Sequence, residues 1–171
     1  MRMLQVYGPF AVPFARIRAR SSKWIGNEHS KRFWDKVRDS HLHKKQGCYV
    51  FCLRAGKGFT PWYVGKAAKS SFQKECFTPH KLNKFNEALS KGKNGTPILF
   101  FIALSGKKIK IGAAIIEEVE TFLIRAGKDA NPSLLNKSKT KPSNWGITGV
   151  IRGQQGKPKK VEVAFSKMMA I

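Results

Sequence analysis

Gly47-Cys48-Tyr49-Val50-Phe51-Cys52-Leu53, then Gly56-Lys57-Gly58, then Trp62-Tyr63-Val64-Gly65: this stretch decides the fold. Its two outer runs are rich in aromatic and β-branched residues, which suit a pleated, half-buried surface. The glycines between them mark a turn, so the segment reads as a β-hairpin with one tyrosine on each strand. Neighbouring strands in register place Tyr49 and Tyr63 on one face.

The elements on either side follow from periodicity. Residues 70–91 read as helix in two pieces, Ser71–Phe77 and Lys81–Lys91, divided by Pro79. Thr96–Leu104 is a third strand, apolar enough to be buried on both faces. Gly112–Arg125 is the clearest helix. Ile115, Ile116, Val119, Phe122, Leu123 and Ala126 form its apolar stripe, and Gly127 is a natural stop. Upstream, residues 1–20 read as extended, and 28–39 as a short amphipathic helix capped by Ser30. Downstream, Val161–Phe165 alternates like a short closing strand. The expectation is a mixed α/β (α+β) fold, with a small, mainly antiparallel three-stranded sheet flanked by helices. A central domain over 46–137 would carry an N-terminal extension, 1–45, and a basic C-terminal extension, 138–171.

Charge names the class of partner. Lys and Arg number 33 in 171 residues against 10 Asp and Glu, a net charge of +23. Such an excess predicts a polyanion, because cations that neutralise phosphates release condensed counterions. An acidic membrane surface could use the same charge, but no run of eighteen apolar residues exists to span one. Met1 to Arg20 lacks the apolar core and cleavage site of a signal peptide. Cys48, Cys52 and Cys76 are odd in number and form no C-x-x-C pair, so they read as reduced thiols of a cytoplasmic protein. No acid lies between Asp129 and Glu162, whereas Lys137, Lys139, Lys141, Arg152, Lys157, Lys159 and Lys160 cluster around that gap. These are the candidate contacts to nucleic-acid phosphates, with Trp145 placed to stack on an unpaired base.

Gly47-Cys48-Tyr49 and Tyr63-Val64-Gly65 resemble the paired tripeptides that name the GIY-YIG nuclease family, with cysteine in place of the usual isoleucine. Thirteen residues separate the tyrosines, more than is typical, and a longer hairpin tip accommodates them cheaply. The order of the downstream elements strengthens the resemblance. A helical stretch bearing cations and a third strand precede Glu120-Thr121-Phe122-Leu123-Ile124, which is similar to the family's Glu-x-x-Leu-Ile, and then comes Leu134-Leu135-Asn136. The resemblance covers residues 46–137, about half of the chain. It implies a divalent-metal-dependent endonuclease hydrolysing phosphodiester bonds of DNA, with RNA the alternative, of restriction, mobile-element or repair type. It further implies Mg²⁺ or Mn²⁺ held by Glu120, a site lined by Tyr49 and Tyr63, and support from hydrogen bonds of Asn136. One departure stands out. The family arginine is missing between Lys66 and Cys76, which leaves Lys66, Lys69, Lys74 or Lys81 as replacements. Lysine supplies the charge but not the planar two-pronged contact with phosphate.

The chemistry explains why these residue types matter. Phosphodiester hydrolysis needs an activated water and neutralisation of developing charge, which a carboxylate-held divalent ion provides. Glu120 lies at the edge of the apolar stripe, from which a carboxylate reaches a cleft. Glu118 competes from the opposite edge, and Glu117 reads as solvated. A phenol of pKa about 10 needs a nearby cation to act as a base near neutrality, and Lys66 is close to Tyr63. His80 is a candidate second base or phosphate contact, or else an exposed loop histidine. His29, His41 and His43 read as surface residues. Gly47 and Gly65 predict close backbone approach or an unusual φ. The rival reading is a non-catalytic basic nucleic-acid-binding protein, which the missing arginine favours.

Overall fold

The hairpin is present, and it is longer than its sequence suggested. In the computed structural model β4 (Gly47–Ala55) and β5 (Gly58–Ala67) pair antiparallel from Gly47↔Ala67 to Ala55↔Gly58. The connection is therefore a two-residue turn, Gly56-Lys57, in which Gly56 takes φ +58°. Extra length between the tyrosines sits in the strands and not in a loop. Phe51 pairs with Tyr63 but Cys52 with Pro61, so Trp62 is bulged out beside a proline that cannot donate to the ladder.

The structure describes residues 4–17, 22–37, 41–92, 94–104, 111–141 and 159–169, in two units, Met1–Thr140 and Lys141–Ile171. The first unit adds β1 (Leu4–Ala11), β2 (Ala15–Ile17), β3 (Ser22–Trp24), α1 (Asn27–Val37), α2 (Phe72–Glu75), α3 (Pro79–Lys91), β6 (Thr96–Leu104) and α4 (Ala113–Ala130). Its main sheet has four strands in the order β1-β6-β4-β5, all antiparallel, where three were expected. The additional strand is β1, which pairs with β6. Gly8-Pro9 punctuates it in the sequence, yet the register shift between Tyr7 and Phe10 absorbs that interruption as a bulge. Described residues upstream of the hairpin contribute to the same core. Val12, Ile25, Phe33, Trp34 and Val37 are buried in the same core as Tyr49 and Phe101.

That core fills one face of the sheet. Phe33 packs edge-on against Phe10 and Trp34, and Phe51 stacks on Phe85 with centroids 4.1 Å apart. Each such pair contributes about 0.5–1.5 kcal/mol beyond its buried area. The opposite face carries Cys48, Val64 and Ile102 and is covered by α4. The buried line of α4 runs Ile116, Glu120, Ile124 and Gly127, leaving Phe122 69% exposed. The stripe is thus rotated from the one its apolar residues predicted, and Glu120 lies within it and not at its edge.

Four local expectations change. Helix α1 begins at Asn27, so Ser30 is inside it; the Gly26 N–H instead donates to Nδ1 of His29, which is buried and not superficial. Helix α3 begins at Pro79, a residue suited to a first turn, and this places His80 and Lys81 in that turn. Val161–Phe165 belongs to a helix, α5 (Lys160–Met169), in the second unit. Val161, Phe165, Met168 and Met169 share a helical spacing that the shorter window disguised as alternation. Among the described residues no helix is long and apolar enough to cross a membrane.

Candidate active site

Among the described residues strand β5 pairs with a strand on one side only, and its open edge is where the candidate residues meet. The segment after α4 runs along that edge. Leu135 N–H donates to Trp62 O at 2.9 Å, and Asn131 Nδ2 donates to Pro61 O at 2.7 Å. The Asn136 amide completes the seal: its Oδ1 accepts from Val64 N–H at 2.9 Å and its Nδ2 donates to Val64 O at 2.8 Å. One side-chain amide therefore replaces a missing strand residue and clamps the backbone next to Tyr63.

At this edge side chains from both faces of the sheet border a pocket of about 250 Å³. Tyr63, His80 and Lys84 line it from one side, Glu120 from α4, and Asn136 and Lys137 from the edge segment. Lys81 Nζ donates to Tyr63 Oη at 2.8 Å and lies 5.2 Å from that ring's centroid. The ammonium is thus placed to balance negative charge on the phenol oxygen. Of the candidate replacements for arginine, Lys81 reaches this tyrosine, Lys66 reaches the carboxylates, and Lys74 is exposed on α2 away from the pocket lining.

Tyr49 behaves differently. It shares a sheet face with Tyr63, as expected, but it is fully buried, borders no part of the pocket, and its hydroxyl has no hydrogen-bond partner among the described residues. Burial, reinforced by neighbouring Cys76 and Tyr63, pushes its hydroxyl well above the ordinary phenol range. Gly65 makes room for it: a Cβ there would strike the end of the Tyr49 ring. Gly47, with φ +151°, likewise passes against the Ile102 carbonyl where a Cβ cannot fit.

Behind the pocket lies a cluster of four charges. Lys139 Nζ is 2.5 Å from Glu117 Oε1 and 2.6 Å from Glu120 Oε2; Lys66 Nζ pairs with Glu117 Oε2 and lies 3.0 Å from Glu120 Oε2. Hydrogen bonds from Lys139 and Lys66 pull the Glu117 carboxyl down to about 2. Burial opposes the charge of Lys66, but its bonds to Glu117 and Glu120 outweigh that and hold it up at about 12. Glu117 is the site residue the sequence reading missed. Its position three residues before Glu120 on one helix was the available signal. Glu118 is exposed.

Glu120 Oε1 accepts no protein hydrogen bond among the described residues. That oxygen could serve a magnesium-type ion, which takes one or two carboxylates and fills its other positions with water and substrate phosphates. An all-protein cage is not on offer, since no three His, Cys, Asp or Glu side chains cluster to hold a metal among the described residues. Of the expected phosphate contacts, Lys137 borders the pocket, while Lys139 is tied to the carboxylates. Lys141, Lys159 and Lys160 are exposed in the second unit, and Arg152 and Lys157, with Trp145, lie outside the described residues. Comparison with protein-family models, with curated proteins and with solved structures gave no match.

Proposed function

We propose that this chain is a divalent-metal-dependent endonuclease of the GIY-YIG type that hydrolyses phosphodiester bonds of DNA. One observation carries the reading. Tyr63, His80, Glu120 and Asn136, spread over 74 positions of the sequence, border a single pocket at the open edge of the hairpin. The charge of +23 supplies the attraction for a polyanion.

The contacts support the following roles. Tyr63 takes the proton of the attacking water, with the Lys81 ammonium balancing the charge left on its oxygen. Asn136 fixes the backbone on which Tyr63 stands. His80 meets a phosphate oxygen or returns a proton to the leaving oxygen. Glu120 would hold the divalent ion, which when bound would neutralise charge developing on the phosphate and the leaving group. Incubating the protein with plasmid DNA, with and without Mg²⁺ or Mn²⁺, tests the reading. Metal-dependent nicking or linearisation that leaves 5′-phosphate and 3′-hydroxyl ends is expected. Retention of DNA without cutting under every metal would favour a second reading, a non-catalytic nucleic-acid-binding protein. The observation on its side is that Lys66 and Lys139 already neutralise both carboxylates.

A further inference from the structure

The two lysines and two glutamates behind the pocket form an electrically neutral set. A divalent ion arriving at Glu120 would add two positive charges beside two ammoniums. One lysine must give way, and the two are not equally free to do so. Lys66 stands on β5, between residues fixed in the ladder with β4. Lys139 stands in the edge segment and makes no backbone hydrogen bond among the described residues. Its backbone has φ +62°, in the left-handed region that a lysine adopts uncommonly. Its ammonium is held by the pair of carboxylates.

We propose that Lys139 is a resident counter-ion that closes Glu117 and Glu120 in the nucleic-acid-free protein, is displaced by the divalent ion, and then pairs with a nucleic-acid phosphate. This rests on the reading of Glu120 as the metal's carboxylate. Its consequence is linkage. Metal uptake frees a cation for the substrate, substrate binding draws that cation off the carboxylates, and each raises the affinity for the other. The lysine that sequence reading placed among the phosphate contacts thus becomes one only after the metal is bound.

Mn²⁺ binding to the full chain without nucleic acid, followed by electron paramagnetic resonance of the free ion, tests the idea apart from activity. Lys139→Met and Lys139→Gly, the second of which accepts the left-handed backbone, should each bind Mn²⁺ about tenfold more tightly than wild type, within the usual range of coupling. Lys137→Met removes an exposed charge from the same pocket without breaking an ion pair, and should change the affinity less than about threefold because solvent screens it. On a short DNA duplex, Ca²⁺ should steepen the slope of log affinity against log salt by about one unit in wild type and not in Lys139→Met. Equal Mn²⁺ affinity in wild type, Lys139→Met and Lys137→Met, with binding lost in Glu120→Gln, would overturn the counter-ion role and leave the metal reading standing. No Glu120-dependent Mn²⁺ binding in any variant would remove both.

Discussion

Replacing Asn136 tests how the candidate site is built. Its amide makes two hydrogen bonds to one residue, accepting from Val64 N–H and donating to Val64 O at 2.9 and 2.8 Å. Each bond contributes about 0.5–1.5 kcal/mol net, so Asn136→Ala should cost about 1–3 kcal/mol. The edge is only partly buried, and water can take over some of the lost partners, which puts the expectation at about 1–2 kcal/mol. For a chain of this size that is a fall in Tm of about 2–8 °C. Asn136→Asp keeps the acceptor but sets a second carboxylate oxygen against Val64 O, in a pocket that already holds Glu120. It should destabilise at least as much as alanine. Urea unfolding followed by circular dichroism measures both. Unfolding free energies within about 0.5 kcal/mol of wild type for both variants, the ordinary range of an inconsequential surface change, would refute the clamp.

The two tyrosines should separate cleanly. Tyr63→Phe should lower the single-turnover cleavage rate at least about a hundredfold, the low end for loss of acid–base catalysis; a wild-type rate would remove Tyr63 from the chemistry. Tyr49→Phe deletes a buried hydroxyl that has no partner, so it should leave stability unchanged or higher and cutting intact, and a large loss of stability would contradict its place in the structure. Lys81→Ala should depress cleavage at saturating protein far more than Lys74→Ala, and equal effects would break the link between Lys81 and Tyr63. Burial pushes the Cys48 and Cys52 thiols up to about 12 and raises Cys76 as well, so none of the three should react with a disulfide reagent at pH 8 until the protein unfolds. Rapid labelling of the native protein would be the contrary result.

Much of the fold was legible because its signals are local. The hairpin, β6 and α4 announce themselves through aromatic runs, apolar runs and helical spacing, each within one window of sequence. Membership of β1 in the sheet was not legible, since a strand broken by Gly8-Pro9 reveals its partner only when β6 is beside it. The site divides in the same way. Glu120 and Tyr63 could be named from the order of motifs, whereas nothing in that order distinguishes a tyrosine at an open sheet edge from Tyr49 in the core. Lys139 is the extreme case. Its attachment to Glu117 and Glu120 spans 22 and 19 positions and depends on the course of the edge segment. In sequence it is one lysine among several in a basic stretch.

Cleavage of plasmid DNA by Glu120→Gln bears most directly on the central claim. Glutamine keeps the shape of the side chain and removes the charge that would hold the divalent ion. With Mg²⁺ or Mn²⁺ present, wild type and Glu118→Gln should cut, and Glu120→Gln should not, while all three retain DNA to the same extent in a binding assay without metal. A Glu120→Gln protein that cuts at the wild-type rate would contradict the claim.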